Sequence, residues 1–349
     1  MGQRIANLDI PVVNYAIDRT LEEHNRQMRA LLDLFVQRTT NYSVRYRQQG
    51  ARRLQPVDEK GRARPMKSVG YYDVAFPLQS GADAFGFDYV TRQKMTVEEV
   101  NNEIVAGMLA DKRWIRDHIL AALYTNVTWT FTDESIRGTT PTLTIQPLAN
   151  GDTVQYGTFI GGDTGATENH YFATASAIAD NANPFPTIYT ELTEHPENGG
   201  AEGDVIAFVP TNLMSTISAL TLFREPVTLD RDITPATTTS TLTGTLGVAV
   251  PGVIRGKVSK VWIVEWPFLP NDYIIAITTK GPRPLAMRED PEPQLQGFNR
   301  VAERNDHPWY ESQYLRRAGF GAWNRVGALV YRIGNGSYAI PTNWSSPMP

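Results

Sequence analysis

The 349-residue sequence predicts an α+β fold with long antiparallel excursions. Three features predict it. Residues 97–124 carry apolar side chains at spacings of three and four for roughly seven helical turns. Segments rich in aromatic and β-branched residues stand on both sides of that run. No stretch of 20–50 residues repeats, which excludes a solenoid.

The first element is "AIDRTLEEHNRQMRALLDLFVQRTT". Thr20 followed three residues later by Glu23 reads as a capping box, and Leu21, Met28, Leu31, Leu32 and Phe35 share one face. A helix over about 19–38 is expected. Next, "NYSVRYR" alternates Tyr42, Val44 and Tyr46 with polar residues, the period of a strand. "SVGYYDVAFPLQ" and "FGFDYVTRQK" are strand-like as well, while the Gly- and Pro-containing centre between them has no periodicity. A two-stranded excursion with a mobile tip is expected over 41–92, and such a ribbon is marginal alone in water. It is therefore expected to lie against something other than its own chain.

"TVEEVNNEIVAGMLADKRWIRDHILAALYTNV" carries a second capping box, Thr96 with Glu99, ahead of Val97, Val100, Ile104, Met108, Ile115, Ile119 and Leu123. At 1.5 Å per residue it predicts a rod of roughly 42 Å. Strands follow at "VTWTFTD" and "TLTIQPLANGDT". "NHYFATASAIADNANPFPTIYTELTEHPENGG" reads as two helices broken by Pro184 and Pro186, the second ending before Gly199. "DVIAFVP" predicts a buried strand and "TNLMSTISALTLF" a helix capped by Thr211 or Asn212. The Thr- and Gly-rich stretch 228–247 predicts an exposed loop. "KVWIVEWPFLPNDYIIAIT" predicts a hairpin turning at Pro270-Asn271-Asp272, and "RVGALVYRIGNGSYAI" predicts strands joined by an Asn-Gly-Ser turn.

Composition narrows the chemistry. The chain has no Cys, so disulfides and thiolate nucleophiles are excluded. No window reaches the ~18 apolar residues that span a bilayer. The first 20 residues lack a signal-peptide pattern, so the sequons at Asn41, Asn126, Asn335 and Asn343 read as chance matches. "PGVIRGKVS" fails as a phosphate loop, because Gly252 stands one residue too close to Gly256-Lys257 and Ser259 is displaced. "GFGAWNRVG" lacks the third glycine of a dinucleotide fingerprint; Gly319, Gly321 and Gly327 suit turns or close strand approach. His24, His118, His170, His195 and His307 are scattered without ligand spacing. Asp230 and Asp232, flanking Arg231, read as a solvated turn. No catalytic residue, no cofactor site and no metal site is expected, and the chain is not expected to be an enzyme.

One charge pattern stands out. Residues 45–67 hold eight cations (Arg45, Arg47, Arg52, Arg53, Lys60, Arg62, Arg64 and Lys67) against Asp58 and Glu59, a local +6. The whole chain carries −4, so the remainder carries −10. Such a run is most often a solvated loop. With Tyr42, Tyr46, Tyr71 and Tyr72 interleaved it also fits phosphate neutralisation and base stacking. A nucleic-acid module is usually basic throughout, however, and a basic ribbon on an acidic chain favours docking on another copy of the same protein.

An N-terminal helix, a long two-stranded loop and a helix opening "MTVEEVNNEI" are followed by "DVIAFVPTNLMSTISAL", a "W-I-V-E" segment and "RVGALVYRIGNGSYAI". This order resembles the major capsid protein of tailed bacteriophages, a fold shared with encapsulin shells and the floor of herpesvirus capsids. The resemblance implies an N-arm at 1–40, an extended β-hairpin loop at 41–92, and a peripheral domain at 93–200 and 281–349 containing the spine helix. It implies an axial domain at 201–280, with the 228–247 loop at the capsomer centre. It also implies a structural protein of the virion head, assembled in the host cytoplasm as hexamers and pentamers of itself. The icosahedral shell would enclose double-stranded DNA without sequence-specific binding or a membrane. Scaffolding, portal and decoration proteins are the further partners the resemblance implies.

Many relatives begin with a cleaved scaffolding segment. The roughly 18 residues before the expected first helix imply a separate scaffold or earlier removal. One branch cross-links a loop lysine to a neighbour's asparagine. Lys60 and Lys67 lie in that region, but no partner Asn or catalytic acid is assigned, so the reaction is not expected. The alternatives are an encapsulin-type compartment and a nucleic-acid-binding protein using the basic arm.

Overall fold

The computed structural model describes residues 10–48, 54, 56–62, 70–136, 139–159, 162–199, 203–225, 250–304 and 309–348. Helix α1 (Ile10–Leu32) starts earlier and ends sooner than its sequence suggests. Thr20 lies in its interior with its hydroxyl donating to Ala16 O at 2.9 Å, and Glu23 pairs with Arg26 at 2.7 Å, so the expected capping box caps nothing. The apolar stripe explains the earlier start: Ile17 and Leu21 are buried on the turns that precede Met28. After Leu32 the chain straightens into β1 (Val36–Thr39), which pairs in parallel with β15 (Leu285–Glu289).

Two strands form the stem of the basic excursion, β2 (Ser43–Arg47) and β3 (Tyr71–Ala75), antiparallel with Tyr46 opposite Tyr72. The excursion expected over 41–92 divides here. β4 (Gln79–Asp88) leaves the hairpin and pairs instead with β17 (Trp309–Ala322) from end to end. Its partner runs 14 residues, with β15 along one half of its other side and β16 (Phe298–Arg304) along the other half. Gly319 is required where this sheet meets the β3–β4 link, because a Cβ there would stand 2.1 Å from the Pro77 carbonyl oxygen.

After the short α2 (Tyr89–Lys94) comes α3 (Val97–Tyr124), with both hydrogen bonds of the Thr96–Glu99 capping box in place. Its N-terminal half is partly exposed, while Ile115, Ile119, Leu120, Ala121, Leu123 and Tyr124 of its C-terminal half are buried. The helix packs there across β17 and β18 (Ala328–Ile333). Two ribbons follow: β5 (Trp129–Thr132) with β6 (Thr142–Ile145), and β7 (Asn150–Thr158) with β8 (Gly162–Asn169).

The core is a seven-stranded sheet. It contains β9 (Tyr171–Thr174), β10 (Val205–Val209), β11 (Phe223–Arg224), β12 (Val253–Val258), β13 (Val261–Glu265), β14 (Tyr273–Thr278) and β18, in the order β11-β12-β13-β10-β14-β18-β9. Every residue of β10, β13 and β14 is buried, which is why their sequences read as near-continuous apolar runs; Glu265, at the end of β13, is paired with Arg255. Ile206, Phe208, Val264, Ile275 and Ile277 face a cluster containing Leu120, Leu123 and Tyr124 of α3. Val205, Ala207, Val209, Ile263 and Ile274 face α4 (Phe185–Thr193) and α5 (Thr211–Ser218).

Four expectations are corrected in this region. β13 and β14 are not a hairpin, since β10 lies between them, parallel to β13 and antiparallel to β14. The first of the two helices expected after Asn169 is strand β9 followed by turns, parallel to β18. α5 is preceded by Pro210 with no side-chain cap; Asn212 donates instead to Asp272 at 2.7 Å. The Asn335-Gly336-Ser337 turn forms, but no strand follows it among the described residues. The sheet also crosses the boundaries implied at 200/201 and 280/281, because β9 and β18 complete the sheet built from residues 205–278. Among the described residues, no helix is long and apolar enough to cross a membrane.

Candidate inter-subunit surface

Alternation along the β2–β3 hairpin sends Tyr46, Tyr72 and Val74 to one face, where they are buried with Phe76, Ala149, Tyr156, Ala286 and Val326. The rings of Tyr46 and Tyr72 stack with centroids 5.0 Å apart. The Tyr72 hydroxyl donates to Trp323 O at 3.1 Å and accepts from the Arg325 amide at 3.3 Å. The stem therefore has a home on its own chain, which corrects the expectation that the whole ribbon lacks one. Its aromatic face supplies enough apolar area to dock against β7 and the β17–β18 turn.

Arg325 is the post behind that docking. It is 1% exposed, donates through Nε to Pro147 O at 2.7 Å and through Nη2 to Leu148 O at 3.2 Å, and pairs with Asp152 at 2.7 Å. Its guanidinium also lies over the rings of Tyr72 and Tyr156. One side chain thus ties the β6–β7 link, the hairpin stem and the β17–β18 turn together.

The eight cations singled out by the sequence separate into groups. Arg45 forks onto Asp73 across the hairpin at 2.8 and 3.1 Å and covers the Tyr71 ring at 4.2 Å. Those hydrogen bonds from Arg45 hold the Asp73 carboxyl below its ordinary value. Arg47 is exposed on the same strand. Lys60 and Arg62 are exposed on a built turn: Asp58 Oδ1 accepts from the Lys60 and Arg62 amides at 3.0 and 2.7 Å, and Gly61 takes φ +72°. Arg52, Arg53, Arg64 and Lys67 lie outside the described residues, as do the 228–247 loop, Asp230, Asp232 and His307. The tip also exposes Leu54 completely and Val57 for the most part, apolar residues set among the charges.

Sequence reasoning also missed the buried ions. Asp111 on α3 accepts from His24 of α1 at 2.8 Å and from both arms of Arg316 of β17 at 2.5 and 2.6 Å. Arg288 of β15 donates to Asp133 at 2.5 Å and to Phe76 O at 3.2 Å. Asp111 was findable, since it stands on the apolar stripe of α3 between Met108 and Ile115. His170 and His195, 25 residues apart, meet with their Nε2 atoms 3.3 Å from one another. Glu168, Glu194 and His195 each bring a ligand atom within 4.8 Å of the others. Burial, then Glu191 and Glu168, push the Glu194 carboxyl up to about 7. Burial lowers His170 to about 3, with His195 adding to the effect, and lowers His195 to about 4.

A long capped helix crossing a mixed sheet, with a hairpin clamped at its stem and a second sheet built on β17, is a fold shared with solved phage capsid chains. No family model and no curated protein matches the sequence. Among solved structures, a chain from Mycobacterium phage Patience is 19% identical, with 99% of this chain and 94% of that one covered at a TM-score of 0.69. The mature capsid of bacteriophage PhiM1 covers 88% and 87% at 9% identity with a TM-score of 0.50. The capsid of cyanophage P-SCSP1u covers 88% of both chains at 8% identity, also at 0.50. At these identities the likeness is one of fold.

Proposed function

We propose that the chain is a major capsid protein, many copies of which tile into a closed icosahedral shell around double-stranded DNA. The observation that carries this reading is the fold shared with two phage capsids over 88% of the chain. A hairpin with a buried stem and a tip exposing Leu54, Lys60 and Arg62 supports it. The role is structural rather than catalytic. In this reading the tip docks on a neighbouring copy, whose net negative charge complements it. Residues 1–40 serve as the N-arm, 201–280 with the strands β9 and β18 that complete their sheet as the axial domain, and the segments around α3 as the peripheral domain. DNA is held by confinement rather than by sequence readout, and the finished shell is the virion head.

Lys60→Glu/Arg62→Glu tests the docking. Neither residue touches the core, so circular dichroism and Tm should match wild type. The assembled fraction, read by sedimentation velocity, should fall by about tenfold or more, because like charge then meets like across the contact. Raising salt should weaken wild-type assembly in the same direction. Unchanged assembly would remove the tip from the interface. Loss of duplex-DNA binding with a steep salt slope, while shells still form, would instead favour the nucleic-acid reading.

A further inference from the structure

We propose that Glu168, His170, Glu194 and His195 form a site for a divalent transition metal of the zinc class, pinning the β7–β8 ribbon to the end of α4 and the seven-stranded sheet. The argument begins with tautomers. His170 Nδ1 lies 2.7 Å from Ala328 O and His195 Nδ1 lies 3.1 Å from Gly157 O. A carbonyl only accepts, so both Nδ1 atoms carry the hydrogen. In the neutral rings both Nε2 atoms then present lone pairs, and they face each other at 3.3 Å with both residues at 0–1% exposure. Two buried acceptors without a donor between them are unfavourable. A cation between them reverses the sign of that contact.

The distance selects the kind of cation. Ligands about 2.0–2.1 Å from a tetrahedral zinc stand roughly 3.3–3.4 Å from one another. The observed separation of the two Nε2 atoms matches that edge. Glu194 Oε1 is 3.8 Å from His195 Nε2, Glu168 brings a ligand atom within 4.8 Å of both residues, and His170 joins this trio through its 3.3 Å approach to His195. Two nitrogens and two carboxylates suit zinc and its neighbours in the first transition row, not calcium or magnesium, which take oxygen. Two carboxylates also neutralise a divalent charge in a half-buried place. The Nδ1–H bonds to Ala328 and Gly157 are the backbone contacts that orient metal-binding imidazoles.

The site lies on different elements from the hairpin tip, so its failure leaves the capsid reading untouched. The test uses the untagged full chain, stripped with chelator, desalted and titrated with zinc chloride by calorimetry. Metal content per chain is measured alongside, and cobalt is used as a spectroscopic substitute. One zinc per chain, tetrahedral cobalt bands and a Tm raised by zinc but not by magnesium are expected. Glu168→Gln/Glu194→Gln should keep the wild-type circular dichroism and lose stoichiometric zinc, and His195→Gln should lose it too. No zinc bound by wild type, or equal binding by wild type and these variants, would overturn the proposal.

Discussion

Arg325→Ala is expected to lower stability by about 3–5 kcal/mol, because it strips partners from four acceptors at once. The carbonyls of Pro147 and Leu148, Asn150 Oδ1 and Asp152 Oδ2 lose the guanidinium, and the space beside Tyr72 and Tyr156 becomes a cavity. A fall in Tm of roughly 10 °C, or failure to accumulate in soluble form, is the readout. Arg325→Lys should recover only part of this, since one ammonium cannot reach carbonyls and carboxylate in fork geometry. Asp152→Asn should cost far less, because Asp152 is 30% exposed and water replaces the lost charge contact. A fully stable Arg325→Ala would mean that the hairpin stem is held by its aromatic face alone. The stem that Arg325 supports also sets where the exposed tip stands.

Asp111→Asn should destabilise by a similar amount, about 3–5 kcal/mol, by leaving the buried Arg316 guanidinium uncompensated. It also carries a pH signature. Burial alone would raise the Asp111 carboxyl, and the hydrogen bonds from His24 and Arg316 with the guanidinium charge overcome it, leaving the group below its ordinary 3.8. A carboxyl depressed in the fold stabilises above its unfolded value and loses that contribution as pH falls through the folded one. Urea denaturation at pH 7 should therefore separate wild type from Asp111→Asn clearly. The gap should close as pH drops below about 4. A gap that stays constant from pH 7 to pH 3 would mean that the Asp111 charge does not act in the fold.

Most of the helices and the central strands were legible because local pattern and tertiary role agree there. The Thr96–Glu99 box starts α3 as its sequence says, and the apolar runs of β10, β13 and β14 are buried on both faces. What failed was pairing. Nothing local in "WIVEWPFLPNDYIIAIT" shows that β10 inserts between β13 and β14, or that β4 abandons its hairpin neighbour for β17. Both facts depend on partners roughly 50 to 240 residues away in sequence. Boundaries drawn from one capping pattern also failed in α1, where Thr20 and Glu23 face water inside a longer helix.

The candidate surface was half legible. Charge marked the tip, yet Arg45 is engaged with Asp73 and Tyr71, and the stem chose its own chain through Tyr46, Tyr72 and Val74. The aromatic alternation that shows this marks a strand in the sequence, and the docking face exists only once Phe76, Tyr156 and Val326 are in place. His170 and His195 were invisible as a pair, because only the approach of α4's end to the start of β9 brings them together.

Negative-stain electron microscopy of the purified chain, taken across protein concentration and salt, tests the central claim most directly. Closed shells of uniform diameter, built from capsomers and loosened by high salt, are the predicted result. A population of dispersed, folded monomers under every condition, with added scaffold proteins of its own genome giving no shells either, would contradict it.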